Sequence, residues 1–141
     1  MKETTIKQAI AKAARMMWKV SPLILGTILL VSLIVTLIPN SFYIKIFQGN
    51  IFLDPLIGSG IGSISAGNPI VSYIIGGELL KQNVSLIAVI AFIVAWVTVG
   101  IIQLPAESMI LGKRFAFLRN LTAFILSIIV AILTIIILKI I

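Results

Sequence analysis

Residues 58–77 read GSGIGSISAGNPIVSYIIGG, and they place helix breakers and polar residues inside the apolar run 51–80. A bilayer core offers no water to pair with freed backbone N–H and C=O groups. Irregular backbone therefore persists there only where it is buried in protein or lines a wet cavity. Interruptions of this kind indicate the substrate site of a transporter.

The break itself is predicted at residues 65–69. Proline disfavours the helical conformation of its predecessor and has no N–H, so Asn68 and Pro69 end one half-helix and start the next. Gly58 and Gly62, four residues apart, are explained by close helix packing. The polar and helix-breaking residues nearby are instead predicted to line a substrate pathway: Ser63, Ser65, Gly67, Asn68, Pro69 and Ser72.

The composition is typical of an integral membrane protein. Hydrophobic residues make up 60% of the 141 residues and charged residues only 11%, whereas a soluble domain carries about 25% charged residues. The net charge of +7 does not indicate nucleic-acid binding, because Lys and Arg flank the apolar runs instead of forming a water-exposed basic face. We therefore expect a lipid bilayer, and no nucleic acid, as the surroundings of this chain.

Cysteine and histidine are absent, which removes most catalytic and metal-binding chemistry. No thiolate or imidazole is present to hold a metal or to activate a serine nucleophile. Asp54 is the single aspartate of the sequence, so an aspartate dyad is excluded. The sequence predicts no enzyme, no cofactor and no metal site.

Three uncharged runs are long enough to cross a bilayer: residues 21–38, 84–102 and 121–138. The first spans about 27 Å at 1.5 Å per residue. Residues 1–20 are predicted to form a separate amphipathic, basic helix at the membrane surface, and residues 21–141 a single transmembrane domain. The predicted fold is an all-α integral membrane protein with three full transmembrane helices, an interrupted helical hairpin and a Pro-started half-helix.

The path of residues 51–80 has two alternatives, because twelve helical residues cover only about 18 Å. The segment is either a hairpin that enters and leaves on one side or a single crossing made of two half-helices. In both, Asp54 is expected at the membrane interface. The hairpin gives the stronger positive-inside bias, in a multi-pass protein of the cell (inner) membrane whose N-terminus is cytoplasmic. It places eight basic residues inside (Lys2, Lys7, Lys12, Arg15, Lys19, Lys113, Arg114, Arg119) and three outside (Lys45, Lys81, Lys139).

A second break is predicted after residue 102. The pattern of Pro69, Ser72, Ile74 and Gly76 recurs as Pro105, Ser108, Ile110 and Gly112. This recurrence indicates an internal repeat of helix, break and Pro-started half-helix, the second half-helix covering residues 106–117. If the repeat is real, Gln103, Pro105, Glu107 and Ser108 belong to the same pathway as the first break.

Two glutamates are candidates for proton coupling. Glu107 lies in the first turn of a half-helix, where a carboxylate could bind a cation or exchange a proton. Its alternative role is to complement the helix dipole while paired with Lys113 or Arg114. Glu78 is the second candidate, although Lys81, three residues on, is its expected partner.

Three short motifs carry a resemblance to a known group of proteins. They are SISAGNP at residues 63–69, GGELL at 76–80 and QLPAE at 103–107. With these breaks the chain resembles a half-length version of the predicted permeases related to the ArsP and YraQ families. The resemblance implies an inner-membrane permease that works as a homodimer. Relatives that export organic arsenicals are thought to use cysteines, so the resemblance does not carry an arsenical substrate over to this chain.

Two hypotheses of different classes follow. The first is a small permease that moves an unidentified small molecule or ion across the membrane as a homodimer of half-transporters. The second is a non-transporting membrane subunit that anchors or regulates a larger complex, in which the breaks serve only packing.

Overall fold

The computed structural model describes residues 6–65 and 67–140, and this part of the chain consists of helices joined by short connections, without a strand. The all-α prediction is confirmed for these residues. The helices are α1 (Ile6–Leu37), α2 (Asn40–Ile46), α3 (Leu53–Ile64), α4 (Pro69–Lys81), α5 (Leu86–Thr98), α6 (Leu104–Leu111) and α7 (Lys113–Ile140).

The first helix joins two segments that were predicted as separate. α1 contains 32 residues and continues through Ser21 and Pro22 without a break, so it is about 48 Å long. Residues 1–5 of the predicted surface helix, with Lys2, lie outside the described residues. From residue 6 onward, the predicted surface helix and the first predicted span are one continuous helix.

Within the described residues, α1 and α7 are long and apolar enough to cross a membrane, by length and composition. The prediction of three such helices is wrong, because α5 covers only 13 residues of the predicted span 84–102, or about 20 Å. Ser85 precedes the helix with ψ of 138° and Val99 ends it with φ of −99° and ψ of 120°. Extended backbone at both ends prevents the helix from continuing through the rest of the apolar run.

The end of the chain also differs from its predicted bounds. α6 has eight residues and stops at Gly112, whose φ of 88° lies in a region that favours glycine. α7 begins at Lys113 and contains 28 residues. The predicted half-helix 106–117 therefore starts and ends earlier, and the last helix begins well before residue 121.

A close pair of parallel helices forms the centre of the fold. A Cβ added to Gly58 of α3 would lie 2.2 Å from the carbonyl oxygen of Ala88 in α5, and one added to Gly62 would lie 2.4 Å from that of Phe92. Residue numbers therefore increase in the same direction along the two helices, so α3 and α5 are parallel. The predicted packing role of these glycines is confirmed.

α4 returns alongside this pair in the opposite direction. Gly76 faces Val89 and Ile93, whereas Leu79, further along α4, packs near Val84 at the start of α5. The segment 51–80 is therefore a helical hairpin, and the alternative of two collinear half-helices is wrong.

α7 is antiparallel to α5 as well. Its Asn120 bonds to Gly100 just after α5, and its Ala131 packs with Ile87 and Ala91 near the start of α5. Between these points Ser127 shares a 2.8 Å hydrogen bond with Ser59 of α3.

The parallel arrangement gives the bundle two distinct ends. The break end contains residues 65–69 and 99–103, which follow α3 and α5. The Asp54 end contains the starts of the same two helices. Seven basic residues of the described chain belong to the break end (Lys7, Lys12, Arg15, Lys19, Lys113, Arg114, Arg119), since Ile24 of α1 lies near Ile70 and Val31 near Leu79. Lys45, Lys81 and Lys139 belong to the Asp54 end.

Candidate functional site

The two breaks border a single cavity of about 240 Å³ at the break end. The first break contributes Ser65, Gly67 and Pro69, and the second contributes Val99, Gly100 and Gln103. The remaining wall includes Trp96 and Thr98 of α5 and Arg119 of α7. Two interruptions more than thirty residues apart in sequence thus form one polar-lined space.

The first break is a capped helix junction. Ser65 leaves α3 in extended conformation, with φ of −81° and ψ of 141°. Asn68 is the N-cap of α4, and its Oδ1 accepts a 3.0 Å hydrogen bond from the backbone N–H of Ile70. An N-cap satisfies one of the free N–H groups at a helix start, so the amide of Asn68 serves the helix and not the cavity.

The second break is held by a side chain from α7. The Gly100 N–H donates a 2.7 Å bond to Oδ1 of Asn120, which is 5% exposed. The chain then makes a tight turn, in which the N–H of Gln103 bonds to the carbonyl of Gly100 at 3.0 Å. Gln103 has no side-chain capping bond to α6, and its side chain borders the cavity. Asn120, from a distant part of the sequence, therefore pairs with a backbone N–H just beyond the end of α5.

Glu107 joins the second break to the basic surface. Its Oε1 accepts a 2.5 Å bond from Arg119, and its Oε2 accepts a 3.0 Å bond from Nδ2 of Asn120. The same Nδ2 also donates to the carbonyl of Ala116 at 2.9 Å. The expected partners Lys113 and Arg114 are not the ones that Glu107 bonds, because α7 begins at residue 113 and its second turn presents Arg119 and Asn120.

The predicted pathway residues divide into two groups. Ser65, Gly67, Pro69 and Gln103 line the cavity. The others do not, each for a local reason. Ser63, Ser72 and Ser108 donate to carbonyls of their own helices, Asn68 caps α4, Pro105 occupies the first turn of α6, and Glu107 lies behind Arg119.

The predicted repeat has a local counterpart in the structure. Ser72 donates a 2.7 Å bond to the carbonyl of Pro69, and Ser108 donates a 2.8 Å bond to that of Pro105. Both prolines lie in the first turn of their helices. The shared pattern is thus a helix start in which proline and serine, three residues apart, form one hydrogen-bonded turn.

Four cavity or support residues with polar groups in their side chains were missed from the sequence: Trp96, Thr98, Arg119 and Asn120. Trp96 stacks edge-on against Phe92 with ring centroids 5.4 Å apart, and its buried Nε1 has no partner within the described residues. Asn120 had a usable signal, since it is an amide at the edge of the uncharged run 121–138. The other three had none, because their role depends on how α5 and α7 meet.

The Asp54 end contains a second polar site, in which Asp54 is buried inside the protein. Its side chain is 1% exposed. Oδ2 accepts hydrogen bonds from the hydroxyl of Ser85 and, at 3.1 Å, from the N–H of Gly49, whereas Oδ1 has no partner within the described residues. The physical reason is the parallel pairing of α3 and α5, which brings the first turn of one helix against the N-cap of the other.

The remaining acidic group of residues 6–65 and 67–140 has the partner that the sequence predicted. Glu78 accepts a 3.0 Å bond from Lys81. Across residues 6–65 and 67–140, no three Asp, Glu, His or Cys side chains gather into a possible metal site.

No family model, curated protein or solved structure matches this chain.

Proposed function

We propose that this chain is a small membrane permease that moves a small solute through the cavity between the two breaks, and that two copies form the working unit. The observation that carries the proposal is the meeting of both helix interruptions at one polar-lined space. Interrupted helices that converge on a cavity are the arrangement by which transporters expose backbone and polar groups to a solute.

The charge distribution supports a membrane orientation. The described basic residues are concentrated at the break end, whereas three lie at the Asp54 end. Cytoplasmic segments next to membrane helices carry an excess of Lys and Arg. We therefore place the break end, with its cavity, on the cytoplasmic side of the cell (inner) membrane. The N-terminus lies on the same side.

The cavity favours a small polar solute. Its volume of about 240 Å³ lies below the range of about 300–1,000 Å³ that holds drug-sized ligands. Ser65, Thr98, Gln103 and Arg119 supply polar groups, and Trp96 and Val99 supply apolar wall. The positive charge of Arg119 is balanced by Glu107 at 2.5 Å, so the lining selects for hydrogen bonding more than for net charge.

A homodimer is proposed from the half-length resemblance and from the exposed apolar surface of the single chain. Along α7, one face remains open, with Leu126 55% and Ile137 54% exposed. Within a bilayer such a face contacts lipid or another helix, since the lipid interior is as apolar as the side chains themselves. A second copy that packs against it would enlarge the cavity into a path.

Solute flux into proteoliposomes tests the proposal. We would reconstitute the full chain and measure swelling with glycerol, lactate and phosphate as probes. Wild type should admit at least one probe faster than empty liposomes do, and Ser65→Phe should abolish the increase because the ring fills the cavity. Thr36→Phe, on the exposed side of α1, is the matched control and should retain flux.

The exposed length of α1 supports the second candidate, a non-transporting subunit. Met17 is 75% exposed and Trp18 82%, which leaves a broad apolar surface for another membrane protein. This candidate predicts that the pure chain shows no flux with any probe, and that Ser65→Phe has no effect on a partner complex. Flux by the pure wild-type chain rejects it.

A further inference from the structure

We propose that Asp54 is a proton-binding site at the end of the bundle opposite the cavity, where the free oxygen Oδ1 takes up a proton from the outer side. The site goes beyond the proposed permease function, because proton uptake by Asp54 requires no solute. It also replaces Glu78 and Glu107 as the candidate for proton exchange, since each of those carboxylates bonds a cationic side chain.

The immediate geometry leaves one oxygen unused. Both donors that reach Asp54, the Ser85 hydroxyl and the Gly49 N–H, bond to Oδ2. Oδ1 is buried and has no partner among the described residues. A buried polar atom without a partner carries a free-energy penalty of about 1–3 kcal/mol. A proton bound to Oδ1 changes the hydrogen bonds that this oxygen needs.

The depth of Asp54 follows from its neighbours. Ser59 bonds to Ser127 of the antiparallel α7, and Asp54 lies five residues earlier on α3, level with residue 132. The uncharged run of α7 continues to residue 138, so Asp54 lies about 9 Å inside the end of that run at 1.5 Å per residue. A carboxylate at this depth is a functional-site candidate in a membrane protein.

The surroundings hold few other charges. Among its packing partners, α5 and residues 47–50 contain no titratable side chain, and α3 contains none besides Asp54 itself. At the same end, Glu78 and Lys81 of α4 bond each other, Tyr43 and Lys45 lie on α2, and Lys139 closes α7. No basic side chain bonds to the Asp54 carboxylate within the described residues.

Two helix starts lie beside the Asp54 carboxylate. Asp54 lies in the first turn of α3, and its partner Ser85 is the N-cap of α5. The N-terminus of a helix carries partial positive charge. Asp54 therefore combines a polar setting for its carboxylate with one free oxygen, Oδ1, at which a proton can bind.

A proton fits this site better than a metal ion does. Oxygen-bound metal ions need several ligands, and Asp54 is the one carboxylate that bonds at this position. On uptake, an O–H bond forms at Oδ1 and the carboxylate charge changes from −1 to 0. Residues 49–53 are exposed, so only this short connection separates Asp54 from water on the outer side.

Proton uptake should loosen that connection. Hydrogen bonds to an ionised acceptor are roughly twice as strong as those between neutral groups. When Asp54 becomes neutral, the bond from the Gly49 N–H weakens, and residues 47–52 are held less firmly against α3. The site is thus built to couple proton binding to movement of the α2–α3 connection.

Infrared difference spectroscopy tests the proposal on the full chain in lipid vesicles. The sequence contains only four acidic side chains, so few protonated carboxyl groups contribute to the carbonyl-stretch region, and variants assign their bands. Lowering the pH should produce a band that Asp54→Asn removes. Glu78→Gln, the matched control at the same end, should keep that band. Ser85→Ala should keep it too, but shifted to higher frequency, because the acid loses a hydrogen-bond donor.

The outcomes separate this proposal from the permease. A well-folded Asp54→Asn protein with an unchanged spectrum overturns the proton site. If Asp54→Asn does not fold, a Ser85→Ala spectrum without any shifted band overturns it instead. A band that Asp54→Asn removes, in a protein that admits none of the flux probes, supports the proton site and rejects the permease. Flux of a probe, together with a band that Asp54→Asn leaves unchanged, supports the permease and rejects the proton site.

Discussion

The two ends of the α3–α5 pair place polar groups in apolar surroundings in opposite ways. At the break end, helices stop, basic residues gather and a cavity of about 240 Å³ opens between the interruptions. At the Asp54 end, the same two helices start tightly together and enclose a single carboxylate that is 1% exposed. The bundle therefore has an open polar end, the break end, and a closed polar end, the Asp54 end. The parallel helices α3 and α5 connect the two.

The largest expected effect on stability comes from a substitution that separates α3 from α5. Gly58→Val places a side chain against the carbonyl oxygen of Ala88. Because this oxygen belongs to the backbone of α5, it cannot move aside as a side chain can. We therefore expect a loss of at least about 3 kcal/mol of folding free energy. Gly60→Ala is the matched control, because no atom lies within 4 Å of its added Cβ. It should stabilise α3 by about 0.5–1 kcal/mol. Unfolding titrations in mixed micelles measure both, and equal effects would contradict the close pairing.

The next effect tests the break end through Asn120. Asn120→Leu leaves the Gly100 N–H and one Glu107 oxygen without their bonds, and we expect a loss of about 2–3 kcal/mol. Thr122→Val, two residues on and exposed, should change stability by less than about 0.5 kcal/mol. The same unfolding titration applies. A neutral Asn120→Leu would show that the second break does not depend on α7.

A smaller effect distinguishes the first break from the second. Asn68→Ala removes the N-cap of α4 and should cost about 1 kcal/mol, whereas Asn68→Asp should retain most of the stability. Gln103→Ala should have little effect, since Gln103 makes no capping bond to α6. A larger loss of stability for Gln103→Ala than for Asn68→Ala would contradict the capping role assigned to Asn68.

The buried serine pair midway between the ends gives a weaker coupling. Ser59 and Ser127 are both fully buried and share a 2.8 Å bond. A double-mutant cycle with Ser59→Ala and Ser127→Ala should give a coupling of about 0.6 kcal/mol, the average for hydrogen bonds between membrane helices. A coupling of zero would place α7 elsewhere along α3 and remove the depth assigned to Asp54.

The smallest effect is a pH dependence of stability that arises from Tyr43 at the Asp54 end. Burial, and after it the negative charge of Glu78, raises the pKa of Tyr43 above its ordinary value. The neutral phenol is then favoured by folding, so its contribution to stability is present below the unfolded pKa of about 10 and is lost as pH rises through the folded pKa. Absorbance titration of phenolate should show a late phase that Tyr43→Phe removes and Tyr73→Phe leaves in place.

Much of this organisation could be predicted where a single residue fixes the local backbone. Proline at residue 69 placed the first break, and the spacing of Gly58 and Gly62 indicated their packing role. The ion pair of Glu78 with Lys81 followed from a separation of three residues on one helix. In each case the cause lies within one or two helical turns, where sequence and structure are directly linked.

The rest depends on which distant helices meet. Apolar composition alone extended α5 to residue 102, because nothing in that run shows that Asn120 will bind the Gly100 N–H. Asp54 was expected at the interface since a lone carboxylate avoids hydrocarbon. Its burial requires that α3 and α5 be parallel, which no local pattern states. Tertiary pairing therefore decides both where α5 ends and how Asp54 is buried.

Thiol labelling tests whether the two breaks share one water-filled cavity, since the chain contains no cysteine and any introduced thiol is unique. We would place single cysteines at Ser65 and Gln103, one in each break, and treat oriented membrane vesicles with a maleimide that cannot cross the bilayer. Ser59→Cys, fully buried on the same helix as Ser65, is the control. We predict that both break cysteines react from the cytoplasmic side and that the control does not. Reaction from opposite sides, or at neither position, would contradict a shared cavity open to water.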